Sequence, residues 1–383
     1  MVKHSQRKHA LLSASGAHRW LNCPPSAVLN DKYEDKGSIY AQEGTLAHEL
    51  ADYDLRIASF VGPNAEKAKL RTARKALTRH ELYDPDMEQY VDVYVHFVLE
   101  TWGANGDLLI EEKTDFSHIV PDGFGTSDAN IVRDGTLYVN DLKYGKGVKV
   151  MAEKNEQLGL YAVGLLRKYS LIYDIHRVVV TIIQPRLDHI DSYTYKVEDL
   201  LTWSKDVVKP IAEQAIKGEG EMKVGDWCRW CRHKVKCRAY ADENLKLAKL
   251  EFADPKTLTD DEVAQAYSKI ELIGDWLKSV KDHMQTQAIA NGKKWPGFKL
   301  VEGRSVRKWK NPDKAVTDIV ENAGVLIDDV VNTKIKGIGE IEKLIGKEKL
   351  NELDLLEKPP GAPTLVSEKD KRPEWQSAQI DFK

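Results

Sequence analysis

Long apolar runs, a strong net charge, a phosphate-binding loop and abundant cysteine are all missing from this 383-residue chain. No stretch approaches the roughly 20 apolar residues that span a bilayer. The basic start, MVKHSQRKH, lacks the apolar segment of a secretory signal. A cytoplasmic location without a membrane partner is therefore the expectation. A formal net charge of -3 gives no global nucleic-acid signature, so any polyanion-binding surface must be local. "GKG" at 145–147 is not a P-loop, because the G-x-x-x-x-G-K-[ST] frame is missing. No helicase motif is found either, so any unwinding would need another protein.

The four cysteines are Cys23, Cys228, Cys231 and Cys237. The last three are spaced C-x2-C-x5-C in "DWCRWCRHKVKC", and the first stands far upstream. In a reducing cytosol a tight C-x2-C favours metal or redox chemistry over a disulfide. Thiolate-only ligation suits an iron–sulfur cluster or zinc. Zinc usually brings two C-x2-C knuckles or a histidine pair, and His233 could substitute in such a site. A structural role fits best, since closing so long a loop restricts the unfolded chain. Trp227 and Trp230 are placed to shield the site.

What the chain does have is a hydrophobic content of 42% and a charged content of 31%, enough for a sizeable core. Helical spacing appears around His48 (Leu46, Leu50, Tyr53, Leu55) and in 86–102. Three strand candidates follow, in 107–116, 124–134 and 135–145. A helix through 152–169 and a β-branched strand in "HRVVVTIIQPRL" come next. The order predicts an α/β fold, a mixed sheet layered by helices. "NAEKAKLRTARKALTRH" is basic, either a solvated face or a phosphate-facing one. Two domains are expected, 1–250 and 251–383, the second mainly helical and DNA- or partner-binding.

Within the sheet, "YVNDLKYGKG" ends a strand on Asp141 and Lys143, which share a face because they are two apart. An antiparallel neighbour could set Asp128, from "GFGTSDAN", beside Asp141. Two carboxylates plus the backbone carbonyl of Leu142 make a hard oxygen site suited to Mg²⁺ or Mn²⁺. Lys143 would position water or stabilise charge on a phosphate. Gln157 and Tyr161, four apart, lie on one face of the following helix. Whether Glu111 or Glu112 adds a ligand is left open by the sequence.

The ordered set His48, Gly125-x-x-Asp128, Asp141-x-Lys143, Gln157-x-x-x-Tyr161 resembles the RecB-like branch of the PD-(D/E)XK nucleases. The family proline before the first acidic residue is absent. The resemblance implies a restriction-endonuclease-like fold and a metal-dependent deoxyribonuclease, acting as an exonuclease on DNA ends or single strands. It implies metal ligation by His48, Asp128 and Asp141, with Lys143 serving the water and Gln157 and Tyr161 facing the DNA. The alternative is a catalytically degenerate nuclease fold that only binds DNA or assembles with other proteins.

The cysteine pattern resembles the iron–sulfur nucleases of AddB and CRISPR-adaptation type. That implies a [4Fe–4S] cluster on Cys23, Cys228, Cys231 and Cys237. "EGTLAHEL" and the ending "APTLVSEKDKRPEW" resemble an uncharacterised phage and prophage family. They imply replication or recombination in a bacterial host cell, beside a single-strand annealing or binding protein or a helicase. Further along, Arg304, Arg307 and Lys308 around Trp309 suit single-stranded DNA. Gly337 and Gly339 resemble half of a helix-hairpin-helix turn and would offer backbone N–H groups to a phosphate.

Overall fold

Apolar residues spaced three and four apart, then two apart, dictate the elements of the first compact unit, Met1–Leu272. The computed structural model describes residues 10–34, 37–103, 105–251, 260–303, 308–331, 337–357, 361–367 and 373–375. Helices α1 (Ala17–Asn22), α2 (Ser26–Asp31), α3 (Ile39–Ser59), α4 (Asn64–Leu77) and α5 (Asp86–Trp102) lead into β1 (Asp107–Asp115), β2 (Phe124–Arg133) and β3 (Thr136–Leu142). Then come α6 (Glu156–Tyr169), β4 (Arg177–Gln184), β5 (His189–Lys196), α7 (Val197–Trp203), α8 (Lys209–Ala215) and α9 (Arg238–Glu251). Side chains cap the two helices that carry the site. Ser38 accepts from the Ala41 N–H ahead of α3, and Asn155 accepts from the Leu158 N–H ahead of α6.

The sheet runs in the order β1-β2-β3-β4-β5. All neighbours are antiparallel except β3 and β4, which are parallel and joined by α6. Asp134 and Gly135, with φ of 49° and 64°, make the two-residue turn between β2 and β3. An Asp-Gly pair is favoured there because both positions need positive φ. Both sheet faces are covered. Leu137, Val139, Val178, Val180 and Ile182 pack with α1, α6 and α8. Ala129, Ile131, Leu142 and Ile183 pack with α3 and α5. Burial on both faces explains the β-branched run in β4. The observed architecture is thus the mixed α/β sheet flanked by helices that the pattern predicts.

The second compact unit is Ile273–Lys383. The division falls within α10 (Asp260–Asn291), C-terminal to the 250/251 boundary suggested by composition. The unit continues with β6 (Phe298–Gly303), β7 (Lys308–Trp309), α11 (Pro312–Ala323), α12 (Ile327–Val330), α13 (Ile338–Ile345), α14 (Lys347–Glu352), β8 (Leu356–Glu357) and β9 (Gly361–Ser367). Ala315, Ile319, Val330, Ile341 and Leu350 form its core. Within 293–312 the two strands do not pair with each other. β6 joins β9 and β7 joins β8, both antiparallel. Long-range pairing of this kind leaves no local turn signature for the sequence to carry.

α6 lies close on β1 at Gly164, where a Cβ would come within 3.3 Å of the Asp115 backbone and 3.2 Å of Thr114 Cβ. Overpacking there should push the site helix off the sheet. Gly164→Leu is expected to cost about 1–3 kcal/mol in chemical denaturation, and an unchanged midpoint would show that the contact is not a constraint.

Candidate metal centre

The β2–β3 ladder stops at the pair Ala129–Asn140. One residue further, the same register sets Asp128 opposite Asp141. Asp128 takes the next rung with its side chain, its Oδ2 accepting the Leu142 N–H at 2.8 Å. Asp141 shares the face of Leu137 and Val139 and is 2% exposed. Its Oδ1 accepts from Gln157 Nε2 at 3.0 Å. Its Oδ2 lies 2.9 Å from Lys143 Nζ in an ion pair, yet has no hydrogen bond of acceptable geometry. Lys143 also donates to Gln157 Oε1 at 3.0 Å, and Gln157 Nε2 reaches Tyr161 Oη at 3.4 Å. From the opposite layer, His48 on α3 places Nδ1 3.4 Å from Asp128 Oδ2. Residues spread from 48 to 161 therefore meet in one network.

Glu111 belongs with them. Its φ of 51° interrupts β1 opposite Asp128, between the paired residues Ile110 and Glu112. A non-glycine residue in this region costs on the order of 1–3 kcal/mol. The kink brings ligand atoms of His48, Glu111 and Asp128 within 4.8 Å of one another. Glu112 instead pairs with Lys168. The choice between the two glutamates follows from this one backbone dihedral, which no residue type in "LLIEEK" announces. His48, Asp52, Tyr94, Glu111 and Asp128 line a small recess, and the buried Tyr94 hydroxyl in it has no hydrogen-bond partner. Asp141, expected as a ligand with His48 and Asp128, is not in this close group, and its Oδ2 faces the Lys143 ammonium instead. Two carboxylates and a histidine suit a hard divalent cation.

Burial opposes charge on every member, and the neighbours decide the outcome. Burial pushes Asp141 up, and the adjacent Asp128 adds to this beyond what Lys143 offsets. Asp128 is held below the usual range, because His48, Lys143 and the Leu142 N–H outweigh its burial. For His48, burial favours the neutral ring, but Asp128 and Asp141 overcome it and lift the pKa to about 9. Lys143 is raised because Asp141 outweighs its burial, so it is an ammonium at neutral pH. Glu111 is exposed on its outer side, but burial of the carboxyl and then Asp128 push it up to about 7.

The four cysteines line a second recess together with Arg19 and Trp227. Cys23 follows α1, Cys228 lies in a 3-10 turn at Asp226–Trp230, Cys231 joins it to a second at Arg232–Lys236, and Cys237 follows that one. Burial pushes the Cys228 thiol up to about 11 and raises Cys231 as well. His233 lines the recess but directs Nδ1 to the Tyr33 hydroxyl at 3.1 Å. Trp230, expected as a shield, is 73% exposed and does not line it. His18 bridges Glu156 on α6 (3.0 Å) and Asp226 beside the cysteines (3.2 Å).

In the second unit Trp309 is half-buried against the local core and Lys308 is exposed. Arg304 and Arg307 lie outside the described residues. The Gly337 N–H, expected to face a phosphate, donates to Glu340 Oε2 at 3.2 Å at the start of α13. Gly339 lies within α13.

The charge balance around His48 has a sign that can be checked in metal-free protein. Its folded pKa of about 9 exceeds the unfolded value of 6.5. The stabilisation it contributes is complete below pH 6.5 and is lost as pH rises through about 9. Asp128→Asn should lower the His48 midpoint in an NMR titration by at least about one pH unit and abolish that alkaline loss. An unmoved midpoint would remove Asp128 as its cause.

The fold of "Crystal structure of SSO0001" is similar at a TM-score of 0.31 and 15% identity, over 62% of this chain and 90% of that one. Residues 9–373 match the family described as "Protein of unknown function (DUF2800)", and the chain belongs to that family.

Proposed function

We propose that this chain is a metal-dependent deoxyribonuclease of the RecB-like PD-(D/E)XK type, an exonuclease acting on DNA ends or single strands. The reading rests above all on one observation. Asp128, inside β2, and Asp141, near the end of β3, lie one residue beyond the last β2–β3 rung, with His48 against Asp128 and Lys143 against Asp141. Mg²⁺ or Mn²⁺ would be held by Asp128, Asp141, His48 and the backbone carbonyl of Leu142, and Glu111 on β1 extends this set. When bound, the cation polarises the phosphate and lowers the pKa of its water. The chain's own groups do the rest. Lys143 keeps its proton and places a positive charge where the phosphate oxygen gains negative charge. Gln157 holds both Lys143 and Asp141, and so fixes the distance between them. His48 must surrender its proton to become a ligand, so cation affinity rises with pH toward 9.

We read the cysteine recess as the seat of a [4Fe–4S] cluster, with zinc as the alternative. Four free cysteines lining one recess support a thiolate-held group. The resemblance of the chain's start and end to phage proteins supports a task in phage replication or recombination.

The test is cleavage of end-labelled single- and double-stranded DNA with Mg²⁺ or Mn²⁺. Asp141→Ala is expected to remove cleavage by at least about a thousandfold without loss of folding, and Glu111→Gln to raise the cation concentration required. A wild type that binds DNA without cleaving it would favour the degenerate, binding-only alternative. Anaerobically purified protein should carry iron and inorganic sulfide and absorb broadly in the visible, and Cys228→Ser should lose both. Colourless wild type containing one zinc per chain would refute the cluster.

A further inference from the structure

We infer that the basic ridge on α4 is a docking surface for the phosphate backbone of duplex DNA. Residues 64–77 hold Lys67, Lys69, Arg71, Arg74 and Lys75 against the single acid Glu66, in a chain of net charge -3. Arg79 follows in the next turn. The helix buries no side chain fully, and Leu70, Ala73, Arg74 and Leu77 form its half-buried side. Lys67, Arg71 and Lys75, four apart, make one ridge beside it, and Arg79 extends the row. Among the described residues none of these four joins an ion pair. Like charges at this spacing destabilise a helix, so the ridge persists against its own repulsion.

Arg74 holds the helix in place. Its guanidinium donates twice to Asp54 on α3, at 2.9 and 2.8 Å, and also to Glu88 on α5 at 2.8 Å. One cation thus anchors α4, while Lys69, Arg71, Lys75 and Arg79 are exposed and Lys67 is half-buried. Asp54 and the proposed metal ligand His48 lie on the same helix six residues apart, about 9 Å along its axis. From Lys67 to Lys75 the helical row spans about 12 Å, with Arg79 in the turn beyond it, a length over which one strand of a duplex presents roughly three to four phosphates at about 3.4 Å each. A membrane surface is a poorer match. Large exposed apolar side chains, which interfacial helices insert, are lacking on α4, the nearest being Val61 in the preceding turn. The identity of the polyanion as DNA rests on the proposed function, whereas the position of the surface does not.

The experiment is fluorescence-anisotropy binding of the full chain to a labelled duplex in EDTA, across a salt series. The variant combines Lys67→Gln, Arg71→Gln, Lys75→Gln and Arg79→Gln. Its affinity should fall at least about tenfold at low salt, and the slope of log K against log salt should flatten by about 3. A companion with Lys and Arg interchanged at the same positions should keep the wild-type slope. Arg71→Glu alone serves if the combined variant loses its cooperative melting, and should weaken binding in the same direction. Unchanged affinity and slope in these variants would overturn the inference. So would ridge-dependent binding to phosphatidylserine vesicles without binding to the duplex. Ridge-dependent binding by a wild type that cleaves no DNA would sustain this surface and reject the nuclease reading alone.

Discussion

Two carboxylates facing each other across neighbouring strands repel, and the site is organised around that repulsion. At cross-strand distances of about 5 Å the pair costs roughly 3 kcal/mol at an effective dielectric of 20. His48, Lys143 and the Leu142 N–H each contribute positive charge or a donor against it. Those partners come from a helix on one sheet face, a strand end and a backbone amide. Once the pair is buried, α3 on one sheet face supplies His48 and α6 on the other supplies Gln157. Asp141 keeps one buried oxygen without a hydrogen bond, compensated by the charge of Lys143.

Much of this was legible in the chain because it is encoded locally. Asp134-Gly135 specifies a tight hairpin, and alternation on either side then fixes which residues oppose one another. From that register the Asp128–Asp141 pairing follows. The four-residue spacing of Gln157 and Tyr161 likewise suffices to put both on one helical face, one pairing with Lys143 and Asp141, the other buried at 6% exposure. All four cysteines, one of them far from the other three in sequence, line one recess.

What stayed hidden has physical causes. Glu111 acquires its place from a positive φ that neighbouring strands impose. β5 alternates well in "HIDSYTYK" but is half polar and short, and only its pairing with β4 makes it a strand. β6 and β9 are separated by four helices, so nothing near either one names the partner. Gly337 has the residue types of a phosphate-binding turn, and the competing acceptor, Glu340, lies one helical turn ahead in the same sequence.

The single parallel pair in the sheet, β3 with β4, divides the assembly of the site into two unequal steps. β2 and β3 are joined by a two-residue turn, whereas β4 can pair only after α6 has crossed back over the sheet. Contacts of low sequence separation form fastest. The opposed carboxylates are therefore a product of early, local folding. The Leu142 N–H and Lys143 come with the same hairpin, whereas Gln157 on α6 and His48 on α3 arrive with the slower closure of the layers. Until then the two aspartates are close but still hydrated, so burial, the largest force against their charge, is imposed last.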